Sequence, residues 1–410
     1  MCRVAMISVH GCPLAPLGGK ETGGMNVYVR ELSRALGKQS MTVDVYTRLT
    51  DPSLPRIVEF GENVRVIHLK AGEIGPMDKN TVLDRLPEFV CRVRQFVNEN
   101  DITYQYVHSH YWLSGWVGNI LASRWDLPHT TTFHTLARVK NRALLSPSET
   151  ERRAEVETKI ISSADAIIAS SEHERHAMAD LYSARRDRIH VIPPGIDLER
   201  FRPVNRSRAR AELGFTGQDV ILAVGRMDPV KGFDVLIRAM ARLGHLSRAR
   251  LVFAGGAGGD RESQRLADLV AELGLKDRVS FIGAVPQERL PLYYGAASVV
   301  VVPSHYESFG FVAAEALGCG TPVIASKVGG LPTIVRDGEN GLLVPWRRPE
   351  AFAERIEQLL SDRDLLARLT AAARPSVERL GWSTAARKTI ELYHALGVAR
   401  TPELVCSCRA

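Results

Sequence analysis

The sequence predicts two tandem doubly wound α/β domains, each a parallel sheet flanked by helices. Three observations predict it. Short β-branched runs alternate with helical stretches along the chain, the pattern of parallel sheets joined by helical crossovers. The 410 residues exceed one ordinary core, since a typical domain holds about 150 residues. The alternation stops once, at Ile192-Pro193-Pro194-Gly195-Ile196-Asp197, and then restarts. Consecutive prolines and a glycine end regular structure and mark a boundary. The domains are therefore set at residues 1–191 and 192–382, with a terminal segment 383–410 suited to pack back on the first.

In the first half, a strand through Val4–Val9 leads into a Gly-rich loop and a helix over Asn26–Leu36. Strands follow at Thr42–Tyr46, Val64–Leu69 and Tyr104–His108, the last two separated by a helix near Leu86–Glu99. A strand over Leu127–Phe133, a helix over Ser148–Ser163 and a strand at Ala166–Ala169 complete this half. In the second half, strands fall at Val220–Val224, Arg250–Ala254, Val279–Ile282, Val299–Val302, Val323–Ser326 and Gly341–Val344. Helices fall at Phe233–Leu243, Ser263–Leu273, Pro286–Ala296 and from Phe311 to Leu317, with more beyond the last strand. The final helix, Ser383–Leu396, lies past a Gly-Trp break.

The composition, 45% hydrophobic and 24% charged, fits a folded globular protein. No apolar run approaches the roughly 20 residues of a membrane span, and the start lacks the features of a signal peptide. Cytoplasmic residence is the expectation. Six scattered cysteines form neither a disulfide framework nor a zinc signature. The net charge of +7 suits anionic substrates. It is spread along the chain, without the basic block or aromatic-interleaved motif of a nucleic-acid binder.

In open α/β sheets ligands bind beyond the carboxyl ends of the strands, so the loops there carry the chemistry. Gly23-Gly24 stands just before a helix, where free N–H groups and the helix dipole favour an anion and glycine admits close backbone approach. The G-x-G-x-x-G and Walker spacings are absent, which argues against dinucleotide redox chemistry and P-loop hydrolysis. His108-Ser109-His110-Tyr111-Trp112 and Phe133-His134-Thr135 sit at two strand ends; no third ligand follows at a zinc-site spacing. Lys79, Lys140, Arg152 and Arg153 lie on loops or helix starts where together they can clamp a phosphate. Arg226 and Lys231 follow a strand of the second domain. Two fixed cations there would stabilise the charge that builds on a departing diphosphate. Glu307 and Glu315 bracket a loop-to-helix turn containing Phe309, Gly310 and Phe311, whose N–H groups can face a diphosphate or sugar. The one Asp-x-Asp, Asp362-Arg363-Asp364, lies in a C-terminal helical stretch, so neither a catalytic divalent metal nor a cofactor is expected.

Gly23-Gly24-Met25-Asn26-Val27-Tyr28-Val29, the run His108–Gly115, Gly225-Arg226 with Lys231, and the Glu307–Glu315 element resemble retaining glycosyltransferase family 4, of two-lobed GT-B architecture, over nearly the whole chain. Within that family, Phe133–Asn141 resembles the inositol-phosphate N-acetylglucosaminyltransferases of mycothiol synthesis. The His10–Gly24 loop and Tyr46-Thr47-Arg48 resemble bacterial sucrose-phosphate synthases. The resemblance implies a UDP-sugar donor, glucose or N-acetylglucosamine, and a small phosphorylated acceptor. Arg226 and Lys231 would hold the diphosphate, Glu315 the ribose and Glu307 the sugar. His134 would meet a donor hydroxyl near the reacting carbon, and Gly23-Gly24 would close over the phosphates. Asn26, Lys79, Tyr111, Thr135 and Arg153 or Arg152 would hold the acceptor. Configuration would be retained by front-face attack. A lipid-linked acceptor and a catalytically silent sugar-nucleotide binder are the rival readings; membrane association is not favoured, and a homodimer is compatible with the sequence.

Overall fold

Fourteen strands form two sheets in the computed structural model, which describes residues 2–16, 23–144, 149–256, 259 and 261–400. The first sheet comprises β1 (Arg3–Ile7), β2 (Thr42–Arg48), β3 (Ile57–Gly61), β4 (Val64–Leu69), β5 (Tyr106–His110), β6 (His129–Thr132), β7 (Ala166–Ala169) and β8 (Ile189–Val191). Its spatial order is 3-4-2-1-5-6-7-8. The second comprises β9 (Asp219–Val224), β10 (Ala249–Ala254), β11 (Val279–Phe281), β12 (Val299–Val302), β13 (Val323–Ser326) and β14 (Gly341–Val344), in the order 11-10-9-12-13-14. Every pairing is parallel except β3 with β4. Helices cover both faces of each sheet, so the central strands are buried on both sides and read as continuous apolar runs.

This topology places the site. Strand order reverses at β1, which pairs β2 on one side and β5 on the other, and again at β9, between β10 and β12. Such switch points open a crevice at the carboxyl ends of the strands. His10 and Tyr111 leave the first; Arg226 and the Ser304–Glu307 loop leave the second. The lobes touch through Arg30, which donates to Gln287 at 2.7 Å, and Ser170, which donates to the Ser308 carbonyl at 2.9 Å.

The chain crosses between lobes twice, side by side, where Ile196 pairs with Gly381. The last helix, Trp382–Arg400, then lies on the first lobe against the helix Gly24–Gly37, and Tyr393 meets His108 Nδ1 at 2.6 Å. No helix among the described residues is long and apolar enough to cross a membrane.

Several elements differ from the sequence reading; the helices Ala137–Ala143, Glu172–Tyr182 and Arg206–Leu213 and the strand β8 were not expected, and three further differences have a plain reason. β3 is an antiparallel edge strand whose alternating exposure gave only a weak apolar signal. The helix Tyr111–Trp125 was not expected; apolar residues surround it, so it has no one-sided period. The helix reaching Glu99 begins at Lys79, capped by the Asp78 side chain, and carries Pro87 inside it. Asp362, half of the Asp-x-Asp pair, caps the helix Arg363–Val377.

Candidate active site

On the second lobe, the chain leaves β9 through Gly225 to Arg226. Asp228 then caps a tight 3₁₀ turn, Pro229–Lys231, accepting from the Val230 N–H. Gly232 ends that turn at φ +64°, and a Cβ there would stand 2.3 Å from the Pro303 carbonyl. Only glycine lets the turn lie so close to the end of β12. Lys231 Nζ is thereby brought 2.6 Å from Glu307 Oε1, which also accepts from Ser304 Oγ at 2.9 Å. Arg226 points along the same edge, 3.4 Å from Asp228. Beyond Glu307, Gly310 at φ +105° turns the chain into the helix Phe311–Gly318.

Glu315 lies one helix turn into the lobe, 7% exposed, accepting from Tyr294 Oη at 2.8 Å. Burial raises its pKa to about 7, against the opposing pull of Tyr294 and Arg200. Arg200, Gln287, Phe311 and Trp382 line the same narrow crevice as Glu315. Phe309 is 2% exposed and belongs to the apolar core, so its contribution to a ligand is through its backbone.

The first lobe supplies the opposing wall. A Cβ at Gly23 would lie 3.9 Å from Arg226 Nε, and one at Gly24 3.2 Å from Phe311 Cδ2. The glycine pair thus faces the cation and the helix start of the other lobe. Asn26 is turned inward instead: it accepts from the Gly23 N–H at 3.0 Å and donates to the Cys12 carbonyl at 2.8 Å. That use shapes the loop.

At the ends of β5 and β6, Tyr111 (φ +76°) and His134 (φ +62°) take left-handed backbone conformations. Such conformations are costly for side-chain-bearing residues and cluster at functional sites. Two cations lie over the Tyr111 ring: Arg153 is 4.7 Å and Lys79 5.5 Å from its centroid. Arg153 is 3% exposed. It donates to Glu157 at 2.6 Å, to Glu149 at 2.8 Å, and to the carbonyl and hydroxyl of Thr135 at 2.8 and 3.1 Å. Burial opposes its charge, but Tyr111, Glu157 and Glu149 outweigh burial and the net pKa shift is upward. Arg152 faces outward, exposed and paired with Asp84 at 2.8 Å; of the two arginines, only Arg153 joins the cluster. Lys140 is tied to Glu149 at 2.7 Å.

His134 contacts His110 at 3.1 Å, and burial lowers its pKa to about 3. The His10 ring lies tilted against Tyr111, centroids 4.5 Å apart, its pKa lowered to about 3 by burial and by Lys79 and Arg153. Both rings are neutral at pH 7. The roles of Glu157, Glu149 and His10 were missed in the sequence. The acids at i−4 and i+4 from Arg153 were a readable signal; Tyr182, which donates to Glu157 at 2.5 Å from another helix, had none.

Two facing α/β lobes, with Arg226 and Phe311 of one set against Gly23 and Gly24 of the other, have the architecture of the GT-B class of sugar-transfer enzymes. Residues 22–200 match Glycosyltransferase Family 4 and residues 205–375 match Glycosyl transferases group 1. The D-inositol 3-phosphate glycosyltransferase of Xylanimonas cellulosilytica is 43% identical over 402 residues, covering 95% of this chain and 96% of that protein. The protein of the same name from Nocardiopsis dassonvillei is 41% identical, covering 99% and 97%. Among solved structures, sucrose-phosphate synthase from Thermosynechococcus elongatus aligns with a TM-score of 0.91 at 38% identity, covering 97% of this chain and 100% of that one. The chain belongs to glycosyltransferase family 4, and it is a glycosyltransferase.

Proposed function

We propose that this enzyme transfers glucose or N-acetylglucosamine from a UDP-sugar, with retained configuration and without an obligatory divalent metal, to a hydroxyl of a small phosphorylated acceptor in the cytoplasm. The observation that carries the reading is the pairing of Lys79 and Arg153 over the Tyr111 ring, beside His134 and opposite Arg226 and Lys231. Relatives named for inositol phosphate and sucrose phosphate support an acceptor of this kind.

Arg226, Lys231 and the N–H groups opening the helix Phe311–Gly318 stabilise the charge that grows on the departing diphosphate. Glu307 meets the donor sugar, Glu315 accepts from the ribose hydroxyls, and neutral His134 hydrogen-bonds a sugar hydroxyl near the anomeric carbon. The acceptor's phosphate is held by Arg153, Lys79, Tyr111 and Thr135, which presents its hydroxyl to the front face of the sugar. As the glycosidic bond breaks, the leaving phosphate oxygen takes the acceptor's proton, so no protein base is required. The lobes and Gly23-Gly24 exclude water, limiting donor hydrolysis.

The test supplies UDP-glucose and UDP-N-acetylglucosamine in turn, with D-inositol 3-phosphate, fructose 6-phosphate and glucose 6-phosphate, each beside its unphosphorylated counterpart and each with and without EDTA. We expect an α-linked product from a phosphorylated acceptor, undiminished by EDTA. Equal turnover of phosphorylated and unphosphorylated acceptors would refute the reading.

A further inference from the structure

Arg48, at the end of β2, is 4% exposed. Its guanidinium donates to two carbonyls of one loop, Glu73 at 2.8 Å and Gly75 at 2.5 Å. Its Nε is buried with no hydrogen-bond partner among the described residues, and no ion pair joins it to a carboxylate there. Removing a cation from water without a counter-ion is costly, so its retention here points to what it holds.

The loop it holds runs from Gly72 to Asp78 and delivers Lys79 at the first position of the helix Lys79–Glu99. Glu73, Ile74, Pro76 and Asp78 are exposed, and Met77 near the loop's far end is the residue of it that packs against the core. Its other tethers lie at its two ends, where the Gly72 N–H donates to Glu88 at 2.9 Å and Asp78 caps the helix. Between them, the Arg48 fork braces the Glu73–Gly75 stretch, whose side chains find no place in the core. A charged donor shared between two carbonyls makes strong, directional hydrogen bonds.

We propose that Arg48 is a positioning residue for acceptor recognition: by clamping the Glu73 and Gly75 carbonyls it fixes the loop that brings Lys79 over Tyr111. This rests on the reading of Lys79 as a ligand of the acceptor's phosphate. Arg48 itself lies behind the loop and acts through Lys79.

The test compares Arg48→Met, Arg48→Lys, Lys79→Met and the Arg48→Met/Lys79→Met double variant in the full-length enzyme. It measures KM for D-inositol 3-phosphate and fructose 6-phosphate, kcat, and UDP affinity by calorimetry. Arg48→Met should raise the acceptor KM by about tenfold or more, with kcat and UDP affinity within about twofold, and Arg48→Lys should fall between it and the parent. The double variant should be no worse than Lys79→Met, because the second substitution removes what the first positions. If Arg48→Met does not fold, Arg48→Lys and its double variant with Lys79→Met carry the same comparison. Additive KM effects, a parallel loss of UDP affinity, or an unchanged acceptor KM in the face of a raised one for Lys79→Met would overturn the proposal. An unchanged acceptor KM in Lys79→Met would instead overturn the phosphate reading, and the role of Arg48 with it.

Discussion

Replacing Glu315 by glutamine should stabilise the protein at alkaline pH while weakening UDP binding. The carboxyl is 7% exposed and its pKa is about 7, against about 4.3–4.5 for an unfolded glutamate. Between these values the native state holds the proton that the unfolded state has lost. The stability this group lends is therefore complete below about pH 4.5 and falls away as pH rises through 7. At one pKa unit per 1.36 kcal/mol, the deficit is about 3 kcal/mol at pH 8 and about 1 kcal/mol at pH 5. Glutamine keeps an oxygen for Tyr294 Oη but is neutral at every pH. Its amide group still wants an acceptor, a cost of about 1 kcal/mol that does not vary with pH. The variant should therefore gain about 2 kcal/mol on the parent between pH 5 and pH 8, read as the difference in urea unfolding midpoints. UDP affinity, measured by calorimetry at pH 8, should drop at least tenfold as the ribose loses a charged acceptor. A parent and variant whose stabilities run parallel from pH 5 to 8 would refute the reasoning about burial at this site.

Lys231→Ala should cut kcat about 10²- to 10³-fold, as for loss of one transition-state charge contact. The fold should survive, since the side chain is 20% exposed and pairs, among the described residues, with Glu307. Steady-state kinetics beside a circular-dichroism melt check this, and near-normal turnover would count against a diphosphate role. His129 is buried, with its pKa lowered by burial to about 4, so its contribution to stability is full above about pH 6.5 and lost as pH falls below it. His129→Gln should therefore lose about 1.4 kcal/mol less than the parent between pH 7.5 and 5.5. Urea titrations at the two pH values measure it, and identical losses would show that the ring titrates normally.

Much of the fold was legible because strands buried on both faces leave uninterrupted β-branched runs. Val299–Val302, Val323–Ser326 and Gly341–Val344 were read to the residue. Two of the elements that were lost have a plain physical reason. β3 lies at an edge, where one side of each strand face meets water and the apolar run shrinks to Ile57, Val58 and Phe60. The helix after β5 packs between the sheet and other helices, so the one-sided period by which surface helices are recognised is missing. Its first residue, Tyr111, has φ +76°, a start that no capping rule foresees.

The site divides along the same line. Gly23-Gly24 before its helix, and Arg226, Lys231 and Glu307 on loops that leave strands, could be picked out because the topology gathers such loops beyond the carboxyl ends of the strands. Choosing between Arg152 and Arg153 was not possible, because adjacent helix positions differ by about 100° and only packing decides which one points inward. Glu149 and Glu157 settle it: both lie four residues from Arg153, on its face of the helix, and both bind it. These two acids are therefore what orients the buried cation. Left-handed Tyr111 and His134 extend the point. Local rules disfavour those conformations, so their place beside the Arg153 and Lys79 cations is set by the packing of the fold and not by the residues' own preference, the pattern in which strained backbone clusters at functional sites.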